Sequence, residues 1–88
     1  MSGSVIVRMW EVKAEPVRFA QLIAWVCDRA LPEIEHDPRH ISSEVFSSTD
    51  FRVVVISKWR SDPVDLPSPP ATLVERQPHA WDFTPVAR

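Results

Sequence analysis

Apolar side chains alternate along Ser4 to Lys13 (SVIVRMWEVK), with Val5, Val7 and Met9 on one face and Ile6, Arg8, Trp10 and Val12 on the other. Period-two spacing in β-branched and aromatic residues predicts a strand, and apolar content on both faces predicts cover on both sides. After the Ala14-Glu15-Pro16 break the period changes. From Val17 to Glu35 the apolar residues Phe19, Leu22, Ile23, Val26, Cys27, Ala30 and Ile34 recur at the helical repeat, which predicts one amphipathic helix. Pro16 suits its first turn, where no N–H is needed, and Pro32 is expected to end or kink its last turn. Trp25 falls roughly 140° from the centre of the stripe, so its ring is expected outside the monomer core, in solvent or against another surface.

A proline-broken polar loop over His36 to His40 leads to a strand at Ile41 to Ser47. Ser48-Thr49-Asp50 is a short turn, and Phe51 to Arg60 (FRVVVISKWR) carries the strongest strand signal. So short a link makes these two an antiparallel hairpin. Val53, Val55, Ser57 and Trp59 share one face of the second strand, and Val54, Ile56, Lys58 and Arg60 share the other. Ser61 to Pro70 is too rich in proline for a long helix. A short helix is expected next, capped by Ser68 and running through Ala71, Leu73 and Val74 to Gln77, where Pro78 stops it. His79 to Val86 alternates Trp81, Phe83 and Pro85 against Ala80, Asp82 and Thr84, which predicts a last strand near a sheet edge. The order β-α-β-β-α-β defines an α+β, ferredoxin-like antiparallel sheet in a single domain over residues 1–88. A helix layer would cover one sheet face and a second copy of the chain the other, giving a homodimer.

Composition narrows the function. With 88 residues the chain has interior for one core, and burial in an oligomer would add to a modest monomer stability. A net charge of −2 supplies no basic field for phosphates, so nucleic acid is not an expected partner. No apolar run approaches the roughly 18 residues of a membrane span, and Met1-Ser2-Gly3-Ser4 lacks the order of a signal peptide, so a cytoplasmic protein is expected. Cys27 is the one cysteine and falls on the predicted buried stripe, where it would be a small core hydrophobe. Gly3 is the one glycine, so no phosphate-cradling loop exists and no nucleotide, flavin or nicotinamide cofactor is expected. Glu35, His36, Asp37 and His40 are metal-ligand types, but Pro38 breaks the helix that would align the two histidines; a solvated loop is expected there, and no metal site.

Three groups carry candidate chemistry. Trp59 and Trp10 are flat apolar surfaces able to stack a planar ring, or else to fill the core. Arg8 lies mid-strand on an apolar face, where an unpaired charge is costly. It needs either a carboxylate, for which Glu44 is the candidate, or a ligand carboxylate or enolate. His79, between Pro78 and the last strand, is either a loop residue or a general base, since free imidazole titrates near neutral pH.

The stretches VIVRMWEV, ISSEVF, VVVISKWRS and HAWDFTPV, in this order, resemble the antibiotic biosynthesis monooxygenase family of the dimeric α+β barrel superfamily. The resemblance implies two ferredoxin-like sheets packed face to face, with a small-molecule pocket between each sheet and its helices. It also implies cofactor-independent oxygen chemistry on a phenolic or polyketide-like aromatic molecule. Trp59, followed by Arg60 and Ser61, matches the tryptophan that lines the pocket in several such enzymes. On that pattern Trp59 would stack the substrate, His79 would take its proton, and Arg8 or Arg60 would steady the anion, with Trp10 nearby. The chain departs from the family in having no Asn and no Tyr, and in the proline-rich stretch where a long second helix is usual. These departures motivate the alternatives: a non-catalytic ligand-binding or assembly module of the same fold, or a cyclase or isomerase.

Overall fold

The computed structural model describes residues 5–88; Met1 to Ser4, including the expected strand start at Ser4, Gly3 and the segment compared with a signal peptide, lie outside the described residues. Four strands form one antiparallel sheet: β1 (Ile6–Ala14), β2 (His40–Ser47), β3 (Arg52–Trp59) and β4 (Val74–Phe83). Their spatial order is β2-β3-β1-β4, so the two most apolar strands take the centre, as the ferredoxin-like arrangement requires. Pairing Trp10 with Val55, Val12 with Val53 and Arg8 with Ser57 puts these six side chains on one face.

The helical stretch over residues 16–35 packs on that face, but it is not one regular helix. A 3-10 turn (Pro16–Arg18) leads into α1 (Phe19–Trp25), then a π segment (Val26–Ala30), then α2 (Leu31–Glu35). The cause is Pro32, which lacks an N–H and whose ring would strike the carbonyl four residues back. A wider turn in front of it absorbs both problems, and the Leu31 N–H bonds to the Val26 carbonyl, five residues away. The extra residue rotates the stripe. Leu22, Val26, Ala30, Leu31 and Ile34 are buried, while Cys27 turns out to solvent, correcting its expected place in the core. Trp25 is also corrected: it is half-buried and packs against the core of its own chain.

Residues 61–70 form a strap with no helix or strand, and Val64 and Leu66 pack against the core from it. The second helix expected from Ser68 to Gln77 is a single 3-10 turn, Ala71–Leu73, whose Leu73 carbonyl accepts from the Glu15 N–H at 3.0 Å. Strand β4 begins at Val74, five residues before His79, and runs through Pro78. Proline is tolerated because β4 is an edge strand and because its register with β1 shifts between Glu11 and Lys13, opposite Pro78.

The core consists of Trp59, Leu22, Ile34, Val12, Val26, Val53 and Val55, all fully buried, with Trp10, Ala14 and Leu31 beside them. Each large side chain of this kind contributes about 1.5–3 kcal/mol on burial. The Cα envelope measures 48 × 28 × 16 Å, with a radius of gyration of 13.6 Å. A rounded chain of this length would have a radius of about 12 Å. The excess reflects a slab one sheet and one partial layer thick. Among the described residues no helix is long and apolar enough to cross a membrane.

Candidate functional site on the covered sheet face

Trp59 ends β3 on the helix-covered face, opposite Ile6 of β1. It is 0% exposed, and its indole N–H donates to Ser57 Oγ at 2.8 Å. The ring is therefore packed on its faces and satisfied at its edge. Among the described residues no cavity is found beside it, and core side chains pack around it. Trp10, two residues along β1 from Arg8, is 6% exposed and belongs to the same core.

The histidine in contact with Trp59 is His40. Its ring meets the indole edge-on, with centroids 5.2 Å apart and planes at 83°, and its Nε2 lies 2.7 Å from Ser43 Oγ. A register shift at the start of β2 brings His40, in place of Ile41, opposite Trp59. His79 lies elsewhere. It pairs with Glu11, whose neighbours Trp10 and Val12 point to the covered face, so Glu11 and His79 occupy the opposite one. There His79 stacks on Trp81, with centroids 5.9 Å apart. Trp59 and His79 are thus separated by the thickness of the sheet. Arg60 is exposed and donates to the Pro38 and His40 carbonyls at 3.1 and 2.7 Å, holding the loop before β2.

Arg8 is on the covered face, and its partners are not the expected Glu44. Glu44 pairs with Ile56 across β3, which puts it on the open face and one strand removed from β1. Arg8 instead forms a two-point fork with Asp82 of β4, Nε to Oδ1 at 2.7 Å and Nη2 to Oδ2 at 3.1 Å. Its Nη1 donates to Asp65 of the strap at 2.6 Å. The bond to Arg8 holds the Asp82 carboxyl below its usual range, and the same bond raises Arg8 further, so this pair is ionised at any ordinary pH.

The open face carries a different set. Val7, Met9, Val54 and Ile56 line its middle, and Phe46, Trp81 and Phe83 are exposed around them. Glu11 is 8% exposed although no other layer covers it, because Arg52 and Arg76 close over its carboxylate, the latter at 2.6 Å. None of Asp65, Asp82 or His40 was singled out as a Trp59 or Arg8 contact by the sequence pattern. Cross-strand register, which pairs Arg8 with Asp82 and Trp59 with His40, is the signal that finds two of them. Among the described residues no group of three or more His, Cys, Asp or Glu gathers as a metal site would require.

No family model matches the chain, and no curated protein does. A solved structure does match: a monooxygenase of Streptomyces coelicolor, from the gene ActVA-Orf6, crystallised in complex with nanaomycin D. The match has a TM-score of 0.72 and 19% sequence identity, and it spans 97% of this chain and 90% of the other. The chain has the fold of that monooxygenase. The resemblance to antibiotic biosynthesis monooxygenases visible in the four strand motifs therefore holds for the architecture. Within this monooxygenase fold the strap stands where the resemblance implies a long helix, and at the solvent margin of the covered face the Arg8 side chain is 17% exposed beside Asp82.

Proposed function

We propose that the protein is a homodimeric, small-ligand-binding module that keeps the monooxygenase fold without its oxygen chemistry. One observation carries this: Trp59 is sealed in the core and bonded to Ser57, on the opposite sheet face from His79. A stacking surface has to be reachable and a general base has to lie within hydrogen-bond reach of the proton it removes. This pair meets neither condition. The dimer is supported by the apolar open face, since Phe46, Trp81 and Phe83 are each about half exposed and would each recover about 1 kcal/mol on full burial.

A second reading, a cofactor-free monooxygenase for aromatic molecules, is favoured by the fold match and by the His40 ring against Trp59. It requires the strap to open. Oxygen consumption in the presence of a panel of hydroxylated anthrone-type compounds separates the two. The binding module predicts no uptake above buffer; turnover that His40→Ala abolishes would establish the monooxygenase instead.

A further inference from the structure

Arg8 stands between two carboxylates that hold it in unequal ways. Asp82, on the neighbouring strand, grips the Nε/Nη2 edge at two points and fixes the plane of the guanidinium. Asp65 touches Nη1 at one point, from a side chain that is 92% exposed. An exposed, single-point ion pair is worth only about 0–1 kcal/mol. Asp82 therefore orients the cation, and Asp65 occupies it loosely.

The strap that delivers Asp65 is itself lightly held. Among the described residues, positions 61–69 take part in no main-chain hydrogen bond, so side chains alone attach the segment. Val64 and Leu66, on either side of Asp65, are half-buried against the core, and Pro69 is buried. Pro63, Pro67, Pro69 and Pro70 stiffen the segment and reduce the entropy it loses on docking. Lifting the strap would take Asp65 from Arg8 and Val64 and Leu66 from the core together, uncovering an apolar floor.

We propose that Asp65 is an internal stand-in for a ligand carboxylate, and that the site beneath the strap takes a planar aromatic acid. The carboxylate would replace Asp65 on Nη1 of Arg8, and the ring would take the apolar floor that Val64 and Leu66 vacate. This rests on the binding-module reading for its site and adds the ligand class and the self-blocking contact. No bond is made or broken; the exchange is one carboxylate for another at a cation that Asp82 keeps in place.

The test is titration of the full chain with 2-naphthoate, followed by calorimetry and by the methyl resonances of Val64 and Leu66. Asp65→Asn, a surface change that should leave the fold intact by circular dichroism, is expected to tighten binding roughly two- to fivefold, the value of a lost exposed pair. Arg8→Met is expected to weaken it about tenfold or more, the value of a hydrogen bond to a charged group. The neutral analogue 2-naphthamide should gain less than 2-naphthoate from Asp65→Asn. The proposal is overturned by absence of saturable 2-naphthoate binding, by equal affinities in wild type and Asp65→Asn, or by an equal response to the amide. Oxygen turnover would overturn the non-catalytic reading while leaving this titration as it stands, so the two failures are distinguishable.

Discussion

Trp59 and His79 lie on opposite faces of one sheet, Trp59 facing the helices and His79 stacked on Trp81 toward the open side. Residues that share no partner act independently on stability, within about 0.5 kcal/mol. Trp59→Phe should cost about 1–2 kcal/mol, from lost volume and from the Ser57 hydroxyl left without its indole donor. His79→Ala should change monomer stability by less than about 0.5 kcal/mol. Urea denaturation of both single variants and the double is expected to give additive effects. A coupling above about 1 kcal/mol would mean that the two side chains meet in solution.

The Arg8–Asp82 fork predicts an acid-sensitive stability. A carboxyl whose folded-state pKa lies below the ordinary value of 3.8 adds stability above that value and loses it as pH falls through the folded one. Asp37, beside Arg39, and Asp50, bonded to Ser48 and Arg52, are lowered in the same direction. The thermal midpoint should be flat from pH 8 to about 5 and drop below about pH 4. Asp82→Asn should lower the neutral plateau and make the acid limb shallower. An acid limb of unchanged steepness would contradict the assignment.

Phe51 closes the β2–β3 hairpin with a φ of 67°, in the left-handed region that favours glycine. Its ring meets Phe19 edge-on with centroids 5.4 Å apart, a contact that offsets part of the backbone strain. Phe51→Gly and Phe51→Ala both lose that ring, but only glycine relieves the backbone. The glycine variant should be the more stable by about 1 kcal/mol, the reverse of the usual order of these two residues. Chemical denaturation of the pair decides it.

Much of this architecture was legible in the sequence. Alternation in VIVRMWEV and FRVVVISKWR specified β1 and β3 and which residues share a face, because the side-chain period of a strand is two; which face meets the helices was not specified, because both are apolar. The hairpin followed from the short Ser48-Thr49-Asp50 link. The second helix was misplaced because Ser68-Pro69 is a good helix start, whereas the backbone needs of an edge strand override local propensity from Val74 onward. Cys27 was misplaced because a π segment ahead of Pro32 shifts the stripe, a shift that a uniform helical period cannot represent. The partners of Arg8 were hidden for a different reason. Asp65 and Asp82 reach it over separations of 57 and 74 residues, set by the strap's course and by β4 register.

What covers the open face decides whether the slab is half of a larger barrel. Met9, Val54 and Ile56 are half-buried there among the exposed rings of Phe46, Trp81 and Phe83, and the neutralised Glu11 would let the same surface lose its water at modest cost. Sedimentation equilibrium of the 10.1 kDa chain at micromolar concentration, run beside Ile56→Glu, is the direct measurement. The wild type is expected at about twice the chain mass, and Ile56→Glu, which places a charge at the centre of the face, at the monomer mass with an unchanged circular dichroism spectrum. A wild-type monomer, or a dimer indifferent to Ile56→Glu, would contradict the proposal that two open faces meet.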